Sequence, residues 1–445
     1  LGLSALPCVY AANDDPDEDK YAQREEISYP GAGPHQYVYN GWILSGDIRT
    51  GWLMYDYDNP DGDPGINKGH RDSQGWYIIP KLSIQTPRWN GFYAKLTGAA
   101  ATDFGINDPD KETRNFVFDP VELESFAILQ EAYVAYESED QAHFALVGRN
   151  EIVTPMIDAD DWYMLANSFE VATYTNRSFE NVMLTGGYFH KMAGVWDSGA
   201  NGTEFHSMSD ASFVAAEDKA RADDTGVGYL AGQYNNGTHN AQLWGYYGKD
   251  LYNILFAQYD FSQTTANDFA YVLGAQYIDF KEDGKLADND TTNIDYYMYS
   301  GRFDGTFDNG WGFATGATKF SDGDGQGATL GAWGGYPYFA NGMIFHFFEA
   351  GSLRNAASYK VQGSYDFAKL GVDNLSLRLR YTHFDLDSDY SISSNGEAQD
   401  TMNLFGVQLA YEFLRGGYFK ATYEHVDLDE EPNTFAIRLI GGYKF

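Results

Sequence analysis

The chain has 445 residues, with 64 Asp and Glu against 29 Lys and Arg for a formal net charge of −35, and 17 % of it is aromatic, including 35 Tyr and 30 Phe beside 48 Gly. The acidic balance excludes nucleic acid as a partner, because phosphate contacts need a basic stripe. The absence of any run of about 20 apolar residues excludes a helical membrane protein, whereas this much Tyr and Gly suits a barrel with aromatic girdles and tight turns.

Residues 1–12 read as the end of a secretory signal. A short apolar stretch leads to Val9 and Ala11, small residues spaced for cleavage, although the basic start of a full signal is missing. Cleavage after Ala11 removes Cys8, the single cysteine, and with it any disulfide. Pro7 occupies the place where a lipidated cysteine needs a small residue, so a lipoprotein anchor fits poorly. An ordinary N-terminus is the other reading. Residues 13–40 are polar and acidic, with Pro16, Pro30 and Pro34, and read as a periplasmic extension ahead of a barrel at 41–445.

From Gly41 the sequence breaks into alternating runs of about ten residues bounded by Gly, Asn or Asp, the length of a tilted membrane-spanning strand. They fall at 41–55, 75–85, 91–101, 126–137, 141–150, 181–193, 225–235, 240–249, 252–261, 269–280, 296–307, 311–320, 357–367, 375–386, 402–413, 417–425 and 435–445. The series is odd in number and bacterial single-chain barrels have an even one, which places a hidden strand at 343–350. Connections alternate short and long, as tight periplasmic turns and longer external loops require. The predicted fold is an all-β, antiparallel, up-and-down transmembrane β-barrel of about eighteen strands.

The last run shows the faces best. Phe435, Ile437, Leu439, Tyr443 and Phe445 share one side; Ala436, Arg438, Gly442 and Lys444 share the other, with Ile440 as the exception. A charge facing lipid costs about 2–4 kcal/mol at mid-depth, so the basic side points into a wet lumen. The same phase turns Lys81, Lys95, Arg378 and Arg380 inward, and Arg149 ends the strand before the longest early interruption. These residues read as a basic track that guides solutes, or as cations paired with inward acids such as Glu131 to fill the barrel. The terminal Phe445 has the form read by barrel-assembly machinery.

The interruption at 150–170 is long enough to fold inward and narrow the pore. Asp158, Asp160 and Asp161, with Tyr163 beside them, would then face the basic wall and set up a transverse field; an external loop on the surface is the alternative. Other acids cluster in turn-like stretches at 56–63, 103–112, 283–290, 322–324, 385–389 and 427–431. They read as solvated loop tips. Asp322-Gly-Asp324-Gly has some flavour of a divalent-cation loop but lacks the full spacing, so neither a metal nor a cofactor is expected.

At this point the residues resemble the OprD-type outer-membrane porin family, eighteen-stranded barrels. Gln130-Glu-Ala-Tyr-Val-Ala-Tyr136 followed by Leu146-Val-Gly-Arg149 looks like the paired strands before that family's constriction loop. Thr154-Pro155 and the stretch from Asp161 through Phe169 look like the loop itself, and 359–445 looks like the C-terminal strands. The resemblance implies that Arg378 and Arg380 belong to a basic ladder, that Arg49 joins it, and that Asp161 sits at the eyelet. One departure matters: where the family loop has an Arg and a Pro, this chain has Tyr163 and Ala166. Losing that cation weakens the case for carboxylates, and the acidic loops push toward cationic or neutral solutes.

The leading function is passive diffusion of small polar solutes (amino acids, short peptides, organic acids) through a charged constriction in the bacterial outer membrane, by a monomer or weak homotrimer in contact with lipid and lipopolysaccharide. A soluble secreted glycan-binding protein would share the strand rhythm but needs no lipid-facing band. A barrel hydrolase needs a His beside a nucleophile or carboxylate. The histidines, from His35 to His425, are scattered outside any hydrolase motif, so the chain does not read as an enzyme.

Overall fold

The computed structural model describes residues 37–59, 72–107, 125–159, 164–194, 204–211, 224–287, 295–323, 333–335, 337–345, 352–391, 397–413, 416–429 and 433–445. The segments expected to be a signal and most of the expected N-terminal extension lie outside these residues. Twenty strands form one antiparallel sheet. Two are short: β1 (Tyr37–Tyr39), which folds back on the next strand through Asn40 and Gly41, and β9 (His206–Ser207), at the edge of β8. The other eighteen are the staves of a barrel. They are β2 (Trp42–Asp56), β3 (Ser73–Gln85), β4 (Phe92–Ala101), β5 (Phe126–Glu137), β6 (His143–Asn150), β7 (Ser168–Phe179), β8 (Val182–Ala193), β10 (Val227–Asn235) and β11 (His239–Gly248). The circuit continues with β12 (Tyr252–Thr264), β13 (Ala270–Glu282), β14 (Tyr296–Thr306), β15 (Trp311–Phe320), β16 (Ala357–Asp366), β17 (Leu375–Asp385), β18 (Thr401–Phe413), β19 (Gly417–Leu428) and β20 (Thr434–Lys444).

Each stave pairs with its neighbour in sequence, and β2 closes on β20 from Asp47↔Lys444 to Asp56↔Phe435. Closure leaves no stave edge in lipid, where an unpaired backbone group would cost several kcal/mol. Phe445 extends the seam: its carbonyl accepts from Gly46 N at 2.7 Å and its N–H donates to Gly46 O at 2.9 Å. A side chain at Gly46 would meet the Phe445 ring at 2.6 Å and Lys81 O at 2.7 Å, so only glycine fits there.

One end of the barrel has tight connections, such as 180–181 and 236–238; the other has long ones, such as 102–125, 194–226 and 321–356. By the rule for outer-membrane barrels the tight end is periplasmic. Asn90 and Gly91, both at positive φ (49° and 85°), make a two-residue hairpin turn whose twist matches the strands. The alternation sorts the side chains. Leu82, Ile84, Leu96, Leu230, Leu255 and Val361 stand exposed on the outer face at 40 % or more. Aromatics flank this band: Trp89, Phe92, Tyr234 and Trp311 at the periplasmic rim, Tyr247, Tyr297 and Tyr359 toward the other. No helix among the described residues is long and apolar enough to cross a membrane; the staves do so.

The hidden strand is β7, not 343–350. Met343, Ile344 and Phe345 are in no strand, and 346–350 lie outside the described residues. β7 escaped the pattern because its inner face carries Phe169 and Val171, buried beside Phe189 of β8, while its outer face mixes Glu170 and Asn176 with Ala172 and Tyr174. The expected contrast between the faces is blurred, so the strand reads as irregular.

Candidate functional site

The inward faces of the staves surround a lumen that external connections enter, two of them well defined among the described residues. The first is 151–167. Met156, Ile157 and Asp158 are buried to 6 % exposure or less. Met156 N reaches the Tyr246 hydroxyl on β11 at 3.5 Å, while the Met164 carbonyl accepts from Arg49 Nη1 on β2 at 3.1 Å. β2 and β11 lie eight staves apart in the circuit of eighteen, close to half the circumference, so the connection crosses the lumen. Gln130 Nε2 donates to Ala166 O at 2.8 Å and fixes the return. The inward fold of this loop is therefore a property of the structure. Asp158 is at the crossing, where its N–H donates to Trp333 O at 2.9 Å and its carbonyl accepts from Asn167 Nδ2 at 3.0 Å. Asp160, Asp161 and Tyr163 lie outside the described residues.

The second inserted piece, at 333–335 and 337–345, belongs to the connection between β15 and β16. The sequence reading missed it. Trp333, Tyr338, Phe339, Ala340, Ile344 and Phe345 are at most 1 % exposed. Ile157 bridges to Trp333, so the two inserted pieces hold each other, and Trp333 Nε1 donates at 2.8 Å to the carbonyl of Met208 in the connection between β8 and β10. The wall holds the rest through backbone groups. Ser300 Oγ accepts from Phe339 N at 3.2 Å, and Ser358 Oγ donates to Ala340 O at 2.9 Å. Thr382 Oγ1 and Arg380 Nη1 donate to Asn341 O and Gly342 O at 2.9 and 2.8 Å. Glu424 takes three successive N–H groups, of Met343, Ile344 and Phe345, at 2.6, 2.6 and 2.7 Å. A carboxylate that accepts several backbone N–H bonds is a strong, charge-assisted clamp.

The expected basic residues separate into groups. Arg49, Lys81, Lys95, Arg378, Arg380 and Arg438 all stand on inward phases. Lys95 pairs with Glu131 at 2.7 Å, inside a relay in which Thr97 also donates to Glu131 at 2.5 Å. Lys81 pairs with Glu151 of the first inserted loop. Arg49 shares the Tyr418 hydroxyl with Asp47. Arg380 is only 2 % exposed and is bonded to Gln362 Oε1 and to the second inserted piece, so its guanidinium serves as a latch. Arg378 and Arg438 have neutral cross-strand neighbours: Ser364 and Gln408 for the first, Thr422 and Leu53 for the second.

Arg149 departs from the expectation. Its register partners are Ala132 and Glu170, on the phase of the exposed Val134 and Val147, so it points away from the lumen. There it pairs with Glu170 at 3.0 Å and lies over the Phe205 ring at 4.0 Å. Its position at the end of a stave lets it sit on the outer face without crossing mid-bilayer. Inward cations that the sequence reading passed over are Arg302, paired with Asp260 at 2.9 Å and over Phe339 at 4.8 Å, together with Lys360 and Lys420. The same alternation would have found them. Among the described residues no group of three or more His, Cys, Asp or Glu could hold a metal ion.

No curated protein matches the sequence. Among solved structures, the barrel is similar to Acinetobacter baumannii OccAB4, with TM-score 0.74 at 17 % identity, covering 93 % of this chain and 100 % of that one. It is similar to Pseudomonas aeruginosa OpdK crystallised with vanillate (TM-score 0.71, 16 % identity, 90 % and 98 % covered). It is also similar to P. aeruginosa OccK2 (OpdF) in complex with glucuronate (TM-score 0.70, 16 % identity, 93 % and 99 % covered). The profile of the outer membrane porin, OprD family, matches residues 145–422, more than half of the sequence. The chain therefore belongs to the OprD family of outer membrane porins, passive channels of the bacterial outer membrane rather than enzymes.

Proposed function

We propose that this porin passes small polar solutes that carry a carboxylate, and that Arg378, Arg438 and Arg49 lead the acid group past the inserted loops. The observation that carries this reading is the grouping of inward cations on adjoining staves. Lys360, Arg378, Arg380, Lys420 and Arg438 lie on β16–β20, and Arg49, Lys81 and Lys95 follow on β2–β4. Staves β10–β13, across the lumen, bring no inward Lys or Arg. Solutes exchange part of their hydration for weak contacts with this wall, and contacts must stay weak for release to be fast. Vanillate in OpdK and glucuronate in OccK2 are both carboxylates, which agrees with this solute class.

Single-channel current across a planar bilayer under a salt gradient tests it. Discrete steps whose reversal potential shows anion preference are expected. Cation preference would mean that the acidic loops dominate and would sink the carboxylate reading; no steps from a folded protein would sink the channel reading itself.

A further inference from the structure

The inward cations of β2–β4, Arg49, Lys81 and Lys95, each face a carboxylate, but the carboxylates come from two different places. Arg49 has Asp47 two residues away on its own strand, Nε to Oδ2 at 3.9 Å. Lys95 has Glu131 on the neighbouring stave at 2.7 Å. Both of these acids belong to the wall. Lys81 is paired instead with Glu151, the first residue after β6, where the first inserted loop leaves the wall. β4 and β5 lie between β3 and β6 in the circuit, so the two side chains reach over the inner wall of those staves to meet. The pairs also differ in access. Glu131 is 6 % exposed and takes the Thr97 hydroxyl as well as Lys95, so that pair is closed. Lys81 keeps 25 % of its side chain open to the lumen, within reach of a passing solute.

The inserted loop does not depend on this pair for its place. Arg49 holds Met164 O, Gln130 holds Ala166 O, and Asp158 N–H bonds Trp333 O. The backbone on both sides of Glu151 is fixed too: Asn150 pairs with Phe169 of β7, and Ile152 O accepts from Ala159 N at 3.0 Å. The Glu151 side chain can therefore rotate off Lys81 while the loop stays in position. An ion pair that is partly exposed is weak, because water screens it and two long side chains lose rotamer entropy to hold it. A second carboxylate arriving at the same ammonium brings the same charge and the same acceptor oxygens. It exchanges with Glu151 at little net cost, whereas a neutral solute gains nothing from the exchange. Glu151 is in this sense a stand-in for the acid group of a solute, carried by the chain itself.

Resting on the carboxylate reading above, we propose that Lys81 is a docking point for the solute carboxylate, and that Glu151 sets its selectivity by occupying Lys81 until a solute acid displaces it. Swelling of proteoliposomes in sodium glucuronate, set beside swelling in arabinose, tests it with Glu151→Gln, which keeps the shape and removes the competing charge. The ratio of glucuronate to arabinose swelling should rise about threefold, the scale of a partly exposed ion pair. In Lys81→Gln/Glu151→Gln the gain should vanish. An unchanged ratio overturns the proposal, including the case in which both solutes speed up equally because the pore has widened. A gain that persists without Lys81 also overturns it, since Glu151 would then act only through its field. Should either glutamine variant not fold, Glu151→Asp keeps the charge on an arm one methylene shorter. It should raise the ratio about twofold by loosening the pair, and no rise overturns the proposal. A wild-type protein that passes arabinose but excludes glucuronate would instead sink the carboxylate reading on which this one rests.

Discussion

Staves β16–β20 and staves β10–β13 obey the same alternation yet give the lumen opposite chemistries. The first wall presents Lys360, Arg378, Arg380, Lys420 and Arg438; the second presents Gln233, Gln242, Gln258 and Gln276 beside Tyr229, Trp244 and Tyr246. The outer faces of both are alike, with Leu379, Leu409 and Val361 on one and Leu230, Leu243 and Leu255 on the other. The membrane constrains the outer residues to one solution. Nothing equivalent constrains the lumen, so adjoining arcs of one barrel can specialise. The basic wall also holds protein, since Arg380 and Glu424 bind the backbone of the second inserted piece.

The largest break of this comparison should come from Glu424→Ala. It strips three buried N–H groups of their acceptor, each worth about 1–3 kcal/mol, and should release Met343–Phe345 from the wall. Single-channel conductance should rise severalfold; an unchanged value would mean that the inserted piece holds without its clamp. Next, Leu255→Arg and Gln258→Arg put the same charge on the two faces of β12. The first should cost about 2–4 kcal/mol in urea unfolding from a micelle or bilayer, and the second clearly less. Equal costs would contradict the assignment of faces.

A finer probe is Arg378→Gln with Arg438→Gln, which should move the reversal potential toward cations, while Gln258→Leu leaves it in place. A matching shift from Gln258→Leu would erase the distinction between the walls. The smallest effect lies at the periplasmic turn. The Ser138 hydroxyl, then the Ala142 N–H, hold the exposed Asp140 carboxyl below its ordinary value of 3.8. A depressed pKa contributes stability that is present above the unfolded value and lost as pH falls through the folded one. Asp140→Asn should therefore differ slightly from wild type near neutrality and converge with it in strong acid; a gap that persists there would point to a cause other than this carboxylate.

Much of the barrel was legible. Seventeen of the eighteen staves have the period-two texture that lipid on one side imposes, and inward phases for Lys81, Lys95, Arg378, Arg380 and Arg438 follow from counting alone. β7 was not legible, because Phe169 and Val171 pack inward while Glu170 and Asn176 stand outward beside Tyr174, which blurs the usual contrast. Arg149 was misplaced for a related reason: at the end of a stave a cation can face outward, so its charge does not report its side. The latch on residues 337–345 had no sequence signature. An inward Glu in β19 looks the same whether it lines water or clamps a loop.

The sequence by itself determined that this chain crosses a membrane as a closed sheet, because a bilayer tolerates only side chains that alternate and backbone that is fully paired. Only the tertiary structure decided which staves meet across the lumen and which connections enter it. Those relations join residues such as Arg49 and Met164, or Met343 and Glu424, that lie far apart in the chain. Alternation is a local property, readable two residues at a time; the contents of the lumen depend on closure, which no local pattern encodes.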